Sequence, residues 1–189
     1  MAKLCNAKCK ELQREMTKLG GRLDRGDESA LFIEVIPGKL MCSYRPLRRD
    51  RVYGGPQRHL PAEAAPLVSD WVRKIRTAGI ESIICLMGPA EFGHYTTVCS
   101  ELGATDLINL YERHGLKVRP IPWNDPAYPV KAGGQPYEDK LLEVREESLQ
   151  AFDELPKPVL LHCSSGIQRS SPVLAFVYSK RSDRGSTAQ

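Results

Sequence analysis

Cys163 and Arg169 stand with five residues between them in the run His162-Cys163-Ser164-Ser165-Gly166-Ile167-Gln168-Arg169-Ser170-Ser171. A thiol and a guanidinium at that separation suit attack by sulfur on an anion that the arginine holds. The guanidinium is a planar fork that matches two oxygens of a phosphate. Between them, Ser164, Ser165, Gly166, Ile167 and Gln168 read as a tight loop that opens a helix. Backbone N–H groups converge at such a place, and the helix dipole adds partial positive charge. Gly166 lets the backbone curl and come close to a ligand. A cysteine at the mouth of this nest is expected to have a depressed pKa and to act as a thiolate, an in-line nucleophile beneath a bound phosphate.

Two elements must hold the loop. Pro158 to His162 is a largely apolar run, suited to a strand covered on both faces. Downstream, Ser170 and Ser171 suit a helix cap and Pro172 its first turn. Val173, Leu174, Phe176, Val177 and Tyr178 then supply an apolar stripe.

With strand, loop, glycine, arginine and hydroxyl in place, HCSSGIQRSS resembles the signature loop of cysteine-dependent protein tyrosine and dual-specificity phosphatases. A softer likeness lies in VIPGKLMCSYRP (residues 35–46), which is similar to the opening segment of bacterial and atypical dual-specificity phosphatases. The resemblance covers roughly Leu31 to Lys180. It implies an α/β fold with a mixed, mostly parallel central sheet flanked by helices. It also implies roles: Cys163 as nucleophile, Arg169 and the amides of residues 164–168 on the phosphate oxygens, and Ser170 as a hydrogen bond to the thiolate that aids its departure. His162 is expected to orient the loop by hydrogen bonding. No metal or cofactor is needed, since the nest and Arg169 supply positive charge. The family usually adds helices after the one that follows the loop; here either the N-terminal helix covers that surface, or it binds a partner and the sequence stops short of those helices.

Breaking an ester to a tyrosine or serine oxygen requires a proton on that oxygen. Asp125, in Pro122-Trp123-Asn124-Asp125-Pro126, is the candidate acid, on the loop where the resembling phosphatases carry theirs. Trp123 is similar to the tryptophan of that acid loop, and Asn124 stands where proline is usual. Asp139 is the rival, but a helix first turn already explains it.

The rest of the chain supplies the frame. Ala2 to Leu19 reads as a helix with Cys5, Cys9, Leu12, Met16 and Leu19 on one stripe, stopped by Gly20-Gly21. Gly21 to Ser29 reads as a loose linker. Leu31 to Ile36 and Leu40 to Ser43 read as a hairpin about Pro37-Gly38. Tyr44 to Leu60 is basic. Arg45 is the best candidate there to reach a ligand, with Arg48, Arg49, Arg51 and Arg58 expected mostly as solvated charge. Pro61 to Ala78 reads as a helix with Leu67, Val68, Trp71, Val72 and Ile75 inward, followed by a buried strand Ser82 to Leu86. Gly88 to Gly103 has no clear pattern. Its Glu91, His94 and Cys99 lack metal-ligand spacing and are expected to be plain surface or core. Thr105 or Asp106 caps a short helix to His114, and Leu116 to Ile121 is the next strand. A long loop from Pro122 to Pro136 follows, and such loops are often functional. Pro136 to Leu155 reads as a helix with Leu141, Leu142, Val144, Leu149 and Phe152 inward.

The 189 residues suit one catalytic domain (residues 30–181) with an N-terminal helix and linker (1–29) and a tail (182–189). Hydrophobic content of 41% and charged content of 26% are those of a globular protein, and a net charge of +4 suits an anionic substrate without demanding nucleic acid. No apolar run is long enough to span a membrane, and no signal peptide is evident. Six scattered cysteines fit a reducing, cytoplasmic setting better than a disulfide scaffold. The expected partner is a phosphorylated protein or another phosphate monoester; the sequence leaves the oligomeric state open. Three other readings stay open: an inactive phosphate-recognition module, a sulfur-transfer or arsenate-reducing enzyme, and a phosphatase acting on RNA 5′-phosphates or phosphoinositides.

Overall fold

The apolar runs Leu40–Ser43, Ser82–Cys85 and Val159–His162 are buried at every residue, as interior strands covered on both faces must be. A computed structural model of the chain describes residues 2–124 and 137–182. Strands β1 (Ile33–Ile36), β2 (Leu40–Ser43), β3 (Ser82–Cys85), β4 (Lys117–Pro120) and β5 (Val159–His162) form one sheet in the order β1-β2-β5-β3-β4. β1 and β2 are the antiparallel hairpin; every other pairing is parallel. The α/β architecture expected from the sequence, a mixed and mostly parallel sheet between helices, is therefore the one observed. β5 lies at the centre, with Ser43 of β2 and Cys85 of β3 both in register with His162. The four parallel strands end together, so the chain leaving each of them arrives at one edge. Open parallel sheets bind ligands at that edge.

Helices cover both faces. α1 (Ala2–Asp24), α6 (Tyr137–Glu154) and α7 (Ser170–Arg181) lie on one. They bury Leu12, Met16, Val144, Phe152 and Val173 against Leu40, Cys42, Ile84 and Leu161. On the other face lie α2 (Ala65–Thr77), α4 (Thr96–Glu101) and α5 (Leu107–Arg113), with Val68, Val72, Val98 and Leu110 against Met41, Ile83, Cys85 and Leu160. Neighbouring strand residues thus serve opposite cores, the period of two that a pleated strand imposes. The short α3 (Pro89–Phe92) and a 3₁₀ turn (Gly93–Tyr95) occupy the stretch without clear pattern.

Several boundaries differ from expectation for physical reasons. α1 does not stop at Gly20-Gly21 but continues to Asp24. A Cβ at Gly20 would lie 2.5 Å from the Tyr44 hydroxyl, so the glycine makes room for a packed neighbour rather than ending the helix. Tyr44 in turn donates to the Met16 carbonyl at 2.6 Å. Leu12, Met16 and Leu19 are fully buried. Each such side chain contributes about 1.5–3 kcal/mol on burial, so α1 belongs to the core and lies along α7. The expected linker is a hydrogen-bonded turn, with Asp27 accepting from Ser29 and Arg22. Leu67 and Leu142, expected inward, are exposed. Each falls beside its helix's buried row, which runs through Val68, Val72 and Ile75 in α2 and through Val144, Ser148 and Ala151 in α6. Residues 125–136, most of the long loop, and residues 183–189, nearly all of the expected tail, lie outside the described residues.

Candidate active site

Each parallel strand delivers one part of the site. β5 runs straight into Cys163, and beneath the turn sits His162, fully buried. Its Nδ1–H donates to the Cys163 carbonyl at 3.1 Å, and its Nε2 accepts from the Tyr111 hydroxyl at 3.2 Å. Burial pushes the imidazole down to about 4. The ring is therefore neutral, with its proton on the nitrogen that faces the loop, and ties α5 to the loop backbone.

The loop then folds over the sulfur. Gly166 has φ +67°, a left-handed conformation that glycine adopts without strain. A Cβ there would collide with the Met16 methyl and lie 2.9 Å from the Ser43 carbonyl. The Gly166 N–H donates to Cys163 Sγ at 3.2 Å. Cys163 is 1% exposed, and among the described residues Gly166 supplies the one loop N–H bonded to its sulfur. α7 begins at Ser170 with Arg169 as its cap residue and no side-chain cap. The two serines expected as caps sit instead in the first turn. Ser171 donates to the Gly166 carbonyl at 3.3 Å. Ser170 Oγ is buried beside the Cys42 thiol rather than bonded to Cys163, so among the described residues the expected bond from Ser170 to Cys163 is not made.

Arg169 is 1% exposed and gripped at two points by Glu91, with Nη1–Oε2 at 2.5 Å and Nη2–Oε1 at 2.7 Å. Its Nη1 also donates to the carbonyls of Trp123 (2.7 Å) and Leu86 (3.1 Å). Burial alone would raise the Glu91 carboxyl, but the hydrogen bonds and charge of Arg169 outweigh it and hold the group below its ordinary value. Glu91 further accepts from the Gly88 N–H at 2.8 Å. This corrects the expectation that Glu91 is plain surface. The signal was present: Gly-Pro-Ala-Glu after a buried strand is a helix start with Glu at its third position, at the ligand-binding edge of a parallel sheet.

On the other side, Arg45 leaves β2 and is 2% exposed. Its backbone N–H donates to the Ser164 carbonyl and its Nε to the Ser164 hydroxyl, both at 3.2 Å. Its Nη1 donates to the Tyr95 hydroxyl (2.6 Å) and its Nη2 to the Gly55 carbonyl (2.8 Å). Arg45 therefore braces the loop directly. Arg48 is half-buried rather than solvated. Arg49 pairs with Asp24, and Arg51 donates to the Asp24 carbonyl at 2.7 Å, so both bind the end of α1. A cleft of about 700 Å³ opens over the loop, lined by Ser164, Ser165, Ile167 and Gln168 and faced by Arg48, His59, Glu91, His94 and Asn124.

The structure thus gathers Cys163, residues 164–168, Arg169 and His162, with Ser170 just beneath. Asp125 lies outside the described residues; Asn124, immediately before it, lines the cleft. Asp139 sits exposed in the first turn of α6. Sequence reasoning missed the contacts that Glu91, Tyr111 and Met16 make at the loop. Among the described residues, no three His, Cys, Asp or Glu side chains gather as metal ligands, and no helix is long and apolar enough to cross a membrane.

No family model matches the chain, and no curated protein matches it. Among solved structures it is similar to one titled "Crystal structure of Tk-PTP in the active form", at 17% identity and a TM-score of 0.37, over 79% of this chain and 84% of that one.

Proposed function

We propose that the chain is a cysteine-dependent phosphatase that hydrolyses phosphate monoesters on proteins, phosphotyrosine foremost, through a phosphocysteine intermediate. The observation that carries this reading is the loop itself: Gly166 N–H aimed at Cys163 Sγ at 3.2 Å, with Arg169 locked at the start of α7 by Glu91. In the first step the sulfur attacks phosphorus, the S–P bond forms and the P–O bond to the substrate breaks. Arg169 and the loop amides hold the equatorial oxygens. Asp125 donates its proton to the leaving oxygen. In the second step the Asp125 carboxylate takes a proton from water, whose oxygen displaces sulfur and releases inorganic phosphate. Ser170, the buried hydroxyl beneath the loop, is the proposed donor to the departing sulfur. The burial of Cys163 favours a phosphoryl group on a long arm, and tyrosine has a longer arm than serine.

The test is hydrolysis of a small aryl phosphate and a phosphotyrosine peptide by the full chain. Cys163→Ser is expected to abolish turnover while retaining phosphopeptide binding; retained turnover would end the nucleophile assignment. Asp125→Ala is expected to slow poor leaving groups about 100-fold and good ones far less. Binding by the wild-type chain without turnover would instead favour a phosphate-recognition module.

A further inference from the structure

A second hollow, of about 370 Å³, opens between the turn after α1, the end of β2 and α2. Among the described residues it shares only Arg48 with the cleft over the loop. Its size falls in the range of about 300–1,000 Å³ that small-molecule sites occupy. Leu23, Leu31, Leu47, Leu67 and Trp71 give it an apolar interior. Most charges on its rim are already engaged. Lys74 lies between Glu28 (2.8 Å) and Asp70 (3.0 Å). Asp27 accepts from Arg22 and Ser29, and Asp50 from the N–H groups of Val52 and Tyr53. Arg49 pairs with Asp24, and Arg51 donates to the Asp24 carbonyl. A charged ligand would compete with these pairs, whereas uncharged apolar surface displaces only water. Among the described residues no group accepts from the Trp71 indole N–H, so the apolar interior keeps one spare donor.

We infer that this hollow binds a small uncharged aromatic molecule with one hydrogen-bond acceptor, and that its occupant steadies the loop through Trp71 and Arg45. Both residues line the hollow and reach the loop. Trp71 meets His162 in a T, with ring centroids 6.3 Å apart, and His162 donates to the Cys163 carbonyl. Arg45 holds Ser164 by backbone and side chain. Two residues on from Arg45, Leu47 has φ +56°, a left-handed conformation rare for a bulky apolar residue. Strain of this kind gathers at ligand clamps and switch regions. Leu47 and Trp71 are both partly exposed, so an occupant covers them and holds the turn that carries Arg45. The site stands without the phosphatase reading; only its effect on turnover rests on that reading.

The experiment uses two probes with the same rings, uncharged 2-naphthol and anionic 2-naphthoate, on the full chain at neutral pH. Kd is measured by calorimetry for wild type and three variants. Leu67→Trp fills the hollow from its open margin, Trp71→Phe removes the indole N–H, and Leu142→Trp makes the same change to an exposed leucine on α6. The expected Kd of 2-naphthol is about 0.1 mM in wild type and in Leu142→Trp. It should weaken about tenfold or more in Leu67→Trp and about fivefold in Trp71→Phe. 2-Naphthoate should bind the hollow about tenfold more weakly than 2-naphthol. Saturating 2-naphthol should raise kcat for a small aryl phosphate about twofold with KM unchanged. Equal 2-naphthol affinity in wild type and Leu67→Trp overturns the site. 2-Naphthoate bound as tightly, and lost equally in Leu67→Trp, overturns the uncharged class, and undiminished affinity in Trp71→Phe overturns the hydrogen bond. Binding that raises KM alone, or that leaves turnover unchanged, overturns the link to the loop. Binding with the expected losses, by a chain that hydrolyses no aryl phosphate, upholds the site and removes the hydrolytic reading instead.

Discussion

On the α7 side of the loop, Arg169 is buried against a carboxylate that holds it at two points. On the β2 side, Arg45 is equally buried, yet its side chain meets the hydroxyls of Ser164 and Tyr95 and the carbonyl of Gly55. The first arrangement cancels charge and fixes direction: two parallel hydrogen bonds set the plane of the guanidinium. The second solvates a cation with neutral dipoles and leaves its field intact in the cleft. A desolvated cation without a counter-ion is unfavourable on stability grounds alone. One wall therefore aims the guanidinium, while the other, besides bracing Ser164, supplies attraction, and removing either should leave a different kinetic signature.

The largest effect is expected from Glu91→Ala, which strands Arg169 in the interior. Breaking one partner of a buried pair costs about 3–5 kcal/mol, readable in urea unfolding. With the fork no longer aimed, kcat for an aryl phosphate should fall about 100-fold, while Glu91→Gln, which keeps one hydrogen bond, should lose less of both. Because Glu91 is held below its ordinary value, its share of stability is present above that value and fades as pH falls through the folded one. A loss under 1 kcal/mol in Glu91→Ala would mean that the carbonyls of Leu86 and Trp123 suffice to hold Arg169, and the contrast between the walls would go.

Arg45→Met should do less and do it differently. The Tyr95 hydroxyl still donates to the Pro46 carbonyl at 2.6 Å, so the main orphans are Gly55 O and Ser164 Oγ, worth about 2 kcal/mol together. The missing field should raise KM for an anionic substrate about tenfold with kcat within about threefold of wild type. A fall in kcat matching that of Glu91→Ala would show that both arginines aim the loop, and the division drawn between them would be wrong.

What the chain's order of residues discloses depends on whether a feature is local. Cys163, Gly166 and Arg169 sit in one run, and β5, the loop and α7 follow from its apolar pattern and its glycine. The interior strands declare themselves the same way. Asp106 is a local cap as well, accepting from the Asn109 N–H at 2.9 Å. Glu91 lies 78 residues from Arg169, and nothing in its own neighbourhood names a partner. Met16 is legible as a stripe residue, but that its methyl blocks any side chain at Gly166 depends on how α1 lies along α7. Gly20-Gly21 misleads for the same reason. Glycine disfavours a helix by about 1 kcal/mol, and the packing of Tyr44 in the space it leaves outweighs that. Leu67 and Leu142 show the limit of periodicity, since a row of apolar residues wider than the core it meets leaves its margin in water.

The smallest effect lies between the two walls, at His162. Burial holds its imidazole near 4, against about 6.5 in an unfolded chain. Between those values the unfolded state binds a proton that the folded state refuses. The contribution of this group is thus complete above pH 6.5 and is lost as pH falls toward 4. From pH 7 to pH 5.5 the loss is about 1 kcal/mol, measurable as a shift of the urea midpoint. His162→Asn, whose amide can still donate to the Cys163 carbonyl, should remove that part of the pH dependence while lowering stability at pH 7. Arg45 and Arg169 both disfavour the imidazolium, so Arg45→Met should shift the titration upward in the same scan. An unchanged pH profile in both variants would mean that His162 neither sets this pH dependence nor senses Arg45, and that the β2 wall acts on the ligand without reaching beneath the loop.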